Sequence, residues 1–224
     1  MTKPVKKGAP PVGLWLKIGP DLAVDILLRD LRQIFHVINN GSAYEKNMHV
    51  LEIVGSADDK DFREKAALLF AIGRAAGMAG IYRGDPAVAK EMDADGVLVD
   101  SITAFGEARK LFGENGIVGI YCGTSQDMAA QAHDAGADFV SFGTGKAGFP
   151  SPDVLRFWTI LSDKPALIEG AITNDYCAYW VQAGAAFIDA GDYIWSHGEG
   201  LMQGTVNMLY AIDLALEEQE KSVQ

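Results

Sequence analysis

The stretch GIVGIYCGTSQDMAAQAHDAGADFVSFG, residues 116–143, sets an apolar run before a polar turn, then a helical pattern, then a second apolar run. The first run, 117–122, suits a strand buried on both faces of a parallel sheet. Ser125 stands where a helix N-cap belongs, and Gly136 stands where a helix ends in a left-handed residue. The second run, 139–142, enters a glycine-rich turn, GTGKAG at 143–148. Strand, helix and strand in this order make one βαβ unit.

The same grammar recurs on either side, in GIYRGDPAVAKEMDADGVLVD (80–100) and PALIEGAITNDYCAYWVQAGAAFIDAG (165–191). Asp85 before Pro86 and Thr173 read as further N-caps, and Gly184 as a further helix stop. Extended to the whole chain, the pattern predicts strands at 13–18, 49–54, 79–83, 96–99, 117–122, 139–142, 166–170 and 186–190. Helices are expected near 21–37, 59–76, 86–92, 103–113, 126–134, 152–162, 174–183 and 199–218. Eight of each, alternating, predict an α/β fold, the (β/α)8 TIM barrel, as a single domain over 13–220 after a tail at 1–12. A doubly wound open sheet is the competing arrangement. The loop NNGSAYEKN (39–47) is the weakest part of the pattern.

Composition bounds the function. The 224 residues are 49% hydrophobic, which excludes a disordered chain, and the formal charge is −11. An acidic surface repels nucleic-acid phosphate and anionic membranes, so neither is expected as a partner. Cys122 and Cys177 make no metal spacing or disulfide framework and fit a reducing compartment. The basic start MTKPVKKGAPPVG lacks an apolar signal core, and no apolar run reaches membrane-spanning length. A cytoplasmic protein with a small-molecule ligand is expected, and a homo-oligomer stays open. His36, His49, His133 and His197 share no metal spacing; only His197, in WSHGEG, follows the last strand.

With this strand order, the chain resembles the thiamine phosphate synthase / TenI-like family of small barrels. The resemblance rests on ADGVLVD at 94–100, on the stretch at 116–143 and on PALIEGAIT at 165–173. It spans residues 80–191 well and the first third by element order alone. It implies a transferase of thiamine biosynthesis that joins a pyrimidine pyrophosphate to a thiazole phosphate with Mg2+. The family's strand-two Gln-x-Arg-x-Lys, which grips pyrophosphate, falls here on Glu52, Val54 and Ser56. Its Asn-Asp after strand three is Gly84-Asp85, and its second magnesium Asp falls among Ser101, Ile102 and Thr103. Its strand-five Ser is Tyr121, the His of the TenI-like tautomerases is Gly123, and its Thr-x-Thr-Lys loop is shortened to TGKAG. A departing pyrophosphate needs cations to neutralise its charge. The replaced positions therefore predict a divergent member, slow in thiamine phosphate synthesis.

Active sites of such barrels lie at the C-terminal ends of the strands. Lys17, Glu52, Asp85, Asp100, Tyr121, Lys146, Glu169 and Asp189 are placed there, an acidic mouth with two lysines. Glu52, Lys146 and Glu169 are the candidate catalytic groups. Tyr121, Thr144, Gly170, Asp189 and Gly191 are candidates for binding a phosphorylated ligand, the glycines allowing close backbone approach. Asp85 and Asp100 are candidate Mg2+ ligands, Asp85 serving equally as a helix cap. Cys122 reads as a buried inert thiol. Two other readings compete. One is a non-catalytic ligand-binding or regulatory relative. The other is a Schiff-base aldolase with Glu52 as its proton-transfer acid, which needs a lysine of lowered pKa and finds only Lys17 and Lys146.

Overall fold

Alternation along each strand builds the architecture, because successive side chains point to opposite faces. In β1 (Gly13–Ile18), Leu14, Leu16 and Ile18 are buried with the helices, while Trp15 joins a second cluster inside the barrel. In the computed structural model the strands close into a barrel in chain order, every neighbouring pair parallel. The others are β2 (His49–Val54), β3 (Met78–Arg83), β4 (Gly96–Val99), β5 (Ile117–Gly123), β6 (Phe139–Phe142), β7 (Ala166–Ile168) and β8 (Phe187–Asp189). The expected (β/α)8 TIM barrel is the fold observed. The structure describes residues 12–19, 24–41, 49–55, 58–145 and 148–222.

The helices α1 (Val24–Gly41), α2 (Lys60–Ala75), α3 (Pro86–Glu91), α4 (Ile102–Phe112), α5 (Gln126–Ala135), α6 (Pro152–Leu161) and α7 (Asn174–Ala183) each follow their strand. Two more, α8 (Gly191–Trp195) and α9 (Leu201–Ser222), follow β8. Asp85 caps α3 through Ala87 N at 2.7 Å and Ser125 caps α5 through Met128 N at 3.1 Å. Thr173 occupies the N-cap of α7 without a side-chain bond. Gly136 and Gly184 end α5 and α7 in the left-handed conformation, as expected. Met208, Leu209, Ile212 and Leu216 bury one face of α9, which packs against α7 and α1.

Inside the barrel, Trp15, Val50, Ile81, Leu98, Phe139, Leu167 and Phe187 form one apolar layer. Trp15 lies 5.2 Å from Phe139 and 5.5 Å from Phe187 between ring centroids. On β5 the matching position is Gly119, where a Cβ would overlap the Phe139 ring. Small and large residues alternate so that the layer fills.

Five expectations are corrected. The strands expected at 166–170 and 186–190 stop at Ile168 and Asp189. Gly170, at φ +155, turns the chain out of β7, and the Asp189 carboxylate accepts from Gly191 N at 3.3 Å as α8 begins. The short α8 is absent from the expected helices, since five residues show no helical period. The last helix begins at Leu201 and reaches Ser222. Val12, assigned to the tail, is buried; residues 1–11 lie outside the described residues, as do residues 21–23 of the first expected helix and 42–47 of the uncertain loop.

Candidate functional site

Two residues beyond each apolar position of the inner layer, toward the C-terminal end, the strand presents a polar or aromatic one. Trp15 is followed by Lys17, Val50 by Glu52, Ile81 by Arg83 and Leu98 by Asp100. Gly119 is followed by Tyr121, Phe139 by Ser141, Leu167 by Glu169 and Phe187 by Asp189. Residues two apart share a strand face, so the second positions within the strands face the barrel axis at its mouth, while Asp100 and Glu169 stand one residue beyond β4 and β7.

Six of these residues form a continuous network with Trp15. Lys17 Nζ donates to Glu169 Oε2 at 2.7 Å and to Asp189 Oδ2 at 2.8 Å. Arg83 Nε and Nη2 bind Glu52, and Nη2 also binds Glu169. Ser141 donates its hydroxyl to Glu169, and Trp15 Nε1 donates to Glu52. Glu52 is 0% exposed, so its carboxylate is held entirely by Trp15 and Arg83. Tyr121 lies under the Arg83 guanidinium, 5.3 Å from ring centroid to Cζ, and donates to Gly143 O at 2.9 Å.

The protonation states follow from this pairing. Burial alone would lower Lys17, but the carboxylates of Asp189, Glu52 and Glu169 outweigh it and raise its pKa. Burial likewise opposes the charge on Arg83, and Glu52 and Glu169 raise it further. Burial pushes Glu169 upward, yet Arg83 and Lys17 hold it below the ordinary carboxylate value. Asp189 goes the other way: burial, with Glu52 and Glu169 nearby, pushes it up to about 6 against the pull of Lys17. Two carboxylates of one cluster are thus driven apart.

A cavity of about 530 Å³ opens beside Arg83, walled by Gly84, Asp85, Asp100, Glu107 and Tyr121 among others. Arg83 Nη1 makes no hydrogen bond among the described residues, which leaves it as a donor at this wall. Among the described residues no three His, Cys, Asp or Glu side chains converge as a metal cage. Asp85 and Asp100 still fit Mg2+, which is commonly held by one or two carboxylates, waters and ligand phosphates. Asp85 has one oxygen engaged in its cap, leaving the other for such a role.

The expected site residues fall into three groups. Lys17, Glu52, Glu169 and Asp189 meet at the axis; Asp85, Asp100 and Tyr121 line the cavity. Gly170 packs against the loop after β6, where a Cβ would strike Gly148 O and the Phe149 ring. Gly191 N is taken by Asp189, and Thr144 is exposed. Lys146 and Ser56 lie outside the described residues. Glu52, expected as a proton-transfer acid, is sealed from solvent beneath Arg83.

Counting the mouth as carboxylates against lysines missed Arg83, Ser141 and the Trp15 donor. Arg83 was legible: in GIYRG it shares a strand face with Ile81, and Ile81 belongs to the inner layer. Cys122 and Cys177 are buried with thiols pushed up to about 12 by burial, as inert cysteines should be. His197 accepts from Glu199 N through Nδ1 and packs on Tyr193, a structural setting.

Residues 44–188 match the family model described as thiamine monophosphate synthase. The thiamine-phosphate synthase of Erythrobacter litoralis is 32% identical over 156 residues, which is 65% of this chain and 73% of that protein. That of Rhodospirillum centenum is 32% identical over 155 residues, 64% of this chain and 73% of that protein. The barrel superposes on a thiamine phosphate pyrophosphorylase from Pyrococcus furiosus with a TM-score of 0.72, over 92% of this chain and 97% of that one. Their identity is 17%, so this last likeness is one of fold.

Proposed function

The chain belongs to the thiamine monophosphate synthase family, and we propose that its mouth binds a phosphorylated heterocycle of thiamine metabolism through Arg83. The observation that carries this reading is a half-buried, permanently charged guanidinium at the wall of the cavity, with Tyr121 beneath it. The strand-two cations implied by the resemblance are replaced by Val54 and Ser56. Arg83, one strand further on, supplies a cation from a different direction. A guanidinium contact to phosphate is charge-assisted and directional.

In this reading the residues divide the work. Glu52, Trp15 and Tyr121 orient Arg83, and Arg83 holds the anionic end of the ligand. Asp85 and Asp100 would hold Mg2+, whose contribution when bound is to neutralise charge on a phosphate or pyrophosphate. Lys17, Glu169 and Asp189 face the rest of the ligand. One guanidinium does not replace two cations and an intact metal pair, so the condensation runs slowly. Removing one preorganised charge-stabilising donor typically costs on the order of 10²–10³ in rate.

Steady-state turnover with pyrimidine pyrophosphate, thiazole phosphate and magnesium tests the reading. Turnover at least about a hundredfold below a member with the intact motif supports it. Binding without any turnover makes the chain a ligand-binding relative. Rates equal to an intact enzyme contradict the assignment of Arg83 as the principal anion contact.

The aldolase alternative is disfavoured by Lys17. A Schiff-base lysine needs a lowered pKa to be nucleophilic, whereas Lys17 is held protonated by two carboxylates.

A further inference from the structure

The interior of a (β/α)8 barrel is normally filled by layers of side chains. Here the apolar layer at mid-barrel is bulky, but the positions two residues before it, toward the N-terminal ends of the strands, are small. Gly13 precedes Trp15, Ala79 precedes Ile81, Gly96 precedes Leu98 and Pro165 precedes Leu167, while Ile117 precedes Gly119. Beneath the layer lies a cavity of about 210 Å³, open at the end of the barrel opposite the mouth. Trp15, Phe139 and Phe187 roof it, with Phe139 tilted at 50° and Phe187 at 72° to the indole plane.

The wall of this cavity is carbon almost throughout. Asp138 is its one charged lining residue among the described residues, and that carboxylate is engaged elsewhere. Its Oδ2 accepts from Arg109 Nη2 at 2.6 Å and from Val118 N at 2.8 Å. A charged guest would therefore lose its hydration and find no partner in return.

We propose that this cavity is a second ligand site, separate from the mouth, and that it takes a small, uncharged aromatic molecule of one or two fused rings. Size, charge and shape each support that class. An apolar cavity of about 150 Å³ stays dry and binds benzene. One of about 210 Å³ has room for a bicycle such as indole. The three roof rings already meet in tilted and edge-on pairs, and a planar guest extends the same packing. Trp15 also joins the two ends of the barrel: its ring roofs the cavity while its Nε1 donates to Glu52. Its indole N–H therefore reports what lies beneath it.

Calorimetric titration of the whole chain with indole and with indole-5-carboxylate provides the test. The neutral ring is expected to bind at least about tenfold tighter than the carboxylate, because the lining offers a charge no partner. Ala79→Leu sets a branched side chain into the cavity and is expected to weaken indole binding at least about tenfold. Its melting temperature should be unchanged or raised, since the substitution fills a void. Nuclear magnetic resonance of the native chain gives a second reading that stands even if the variant does not fold. Indole is expected to shift the Trp15 Nε1–H signal and the methyl signals of Ile81 and Ile117. Equal affinity for the carboxylate, full affinity in a folded Ala79→Leu, or shifts confined to the mouth would overturn the proposal. So would no indole binding at all, which would leave the cavity to residues 1–11 or to a second copy of the chain. None of these results touches the reading of the mouth, which is tested with phosphorylated ligands and magnesium.

Discussion

Arg83 on β3 grips the carboxylate of Glu52 on β2, and that carboxylate has no contact with solvent. A buried ion whose partner is deleted costs far more than the pair contributes, because an uncompensated charge remains. Arg83→Met is therefore expected to destabilise the fold by about 3–5 kcal/mol. The double variant Arg83→Met with Glu52→Leu should recover most of the loss, since an apolar pair of similar volume is often neutral. Denaturant unfolding of both single variants and the double variant checks the cycle. Additive losses would mean that the two side chains do not depend on each other.

Asp189 makes stability depend on pH in an unusual sense for a carboxylate. Its folded pKa, about 6, lies above the unfolded value, so the folded chain holds the extra proton. Its contribution is fully present below pH 4 and is lost as pH rises through 6. Asp189→Asn removes this loss. Relative to the wild type, the variant should gain roughly 1–3 kcal/mol between pH 4 and pH 7, at about 1.4 kcal/mol for each tenfold difference in proton affinity between the folded and unfolded chain. Urea unfolding across that range measures the difference. A stability gap that is flat with pH would contradict it.

Gly119 makes room for the Phe139 ring inside the barrel. Gly119→Ala overpacks that layer and should cost about 1–3 kcal/mol. Combining it with Phe139→Leu should return part of the loss, because the smaller side chain vacates the overlap. Melting curves of the three variants decide the matter, and an undiminished single variant would show that the inner layer has slack.

Much of the fold was legible because its signals are local. The apolar runs, the caps at Asp85 and Ser125 and the stops at Gly136 and Gly184 each act within a few residues. The short α8 was not legible, because its five residues are fixed by Asp189 and by packing against β1 and not by periodicity. The site was legible as a set of inward positions but not as a charge network. Arg83 meets Glu169 across 86 residues of sequence, and Lys17 meets Asp189 across 172. Such pairings follow from barrel closure and strand parity together. Applied to all eight strands, parity identifies the polar layer; applied to the carboxylates alone, it left out the cation that holds two of them.

The most direct test of Arg83 as the anion contact is calorimetric titration of pyrimidine pyrophosphate, with magnesium, into the wild type and Arg83→Lys. Lysine keeps the charge, so the variant can still pair with Glu52, but it lacks the planar fork that serves a carboxylate and a phosphate at once. The account predicts affinity at least about tenfold weaker in the variant, the scale of one charge-assisted hydrogen bond, with the fold retained in melting curves. Unchanged affinity in a folded variant would contradict it and place the anion against other residues.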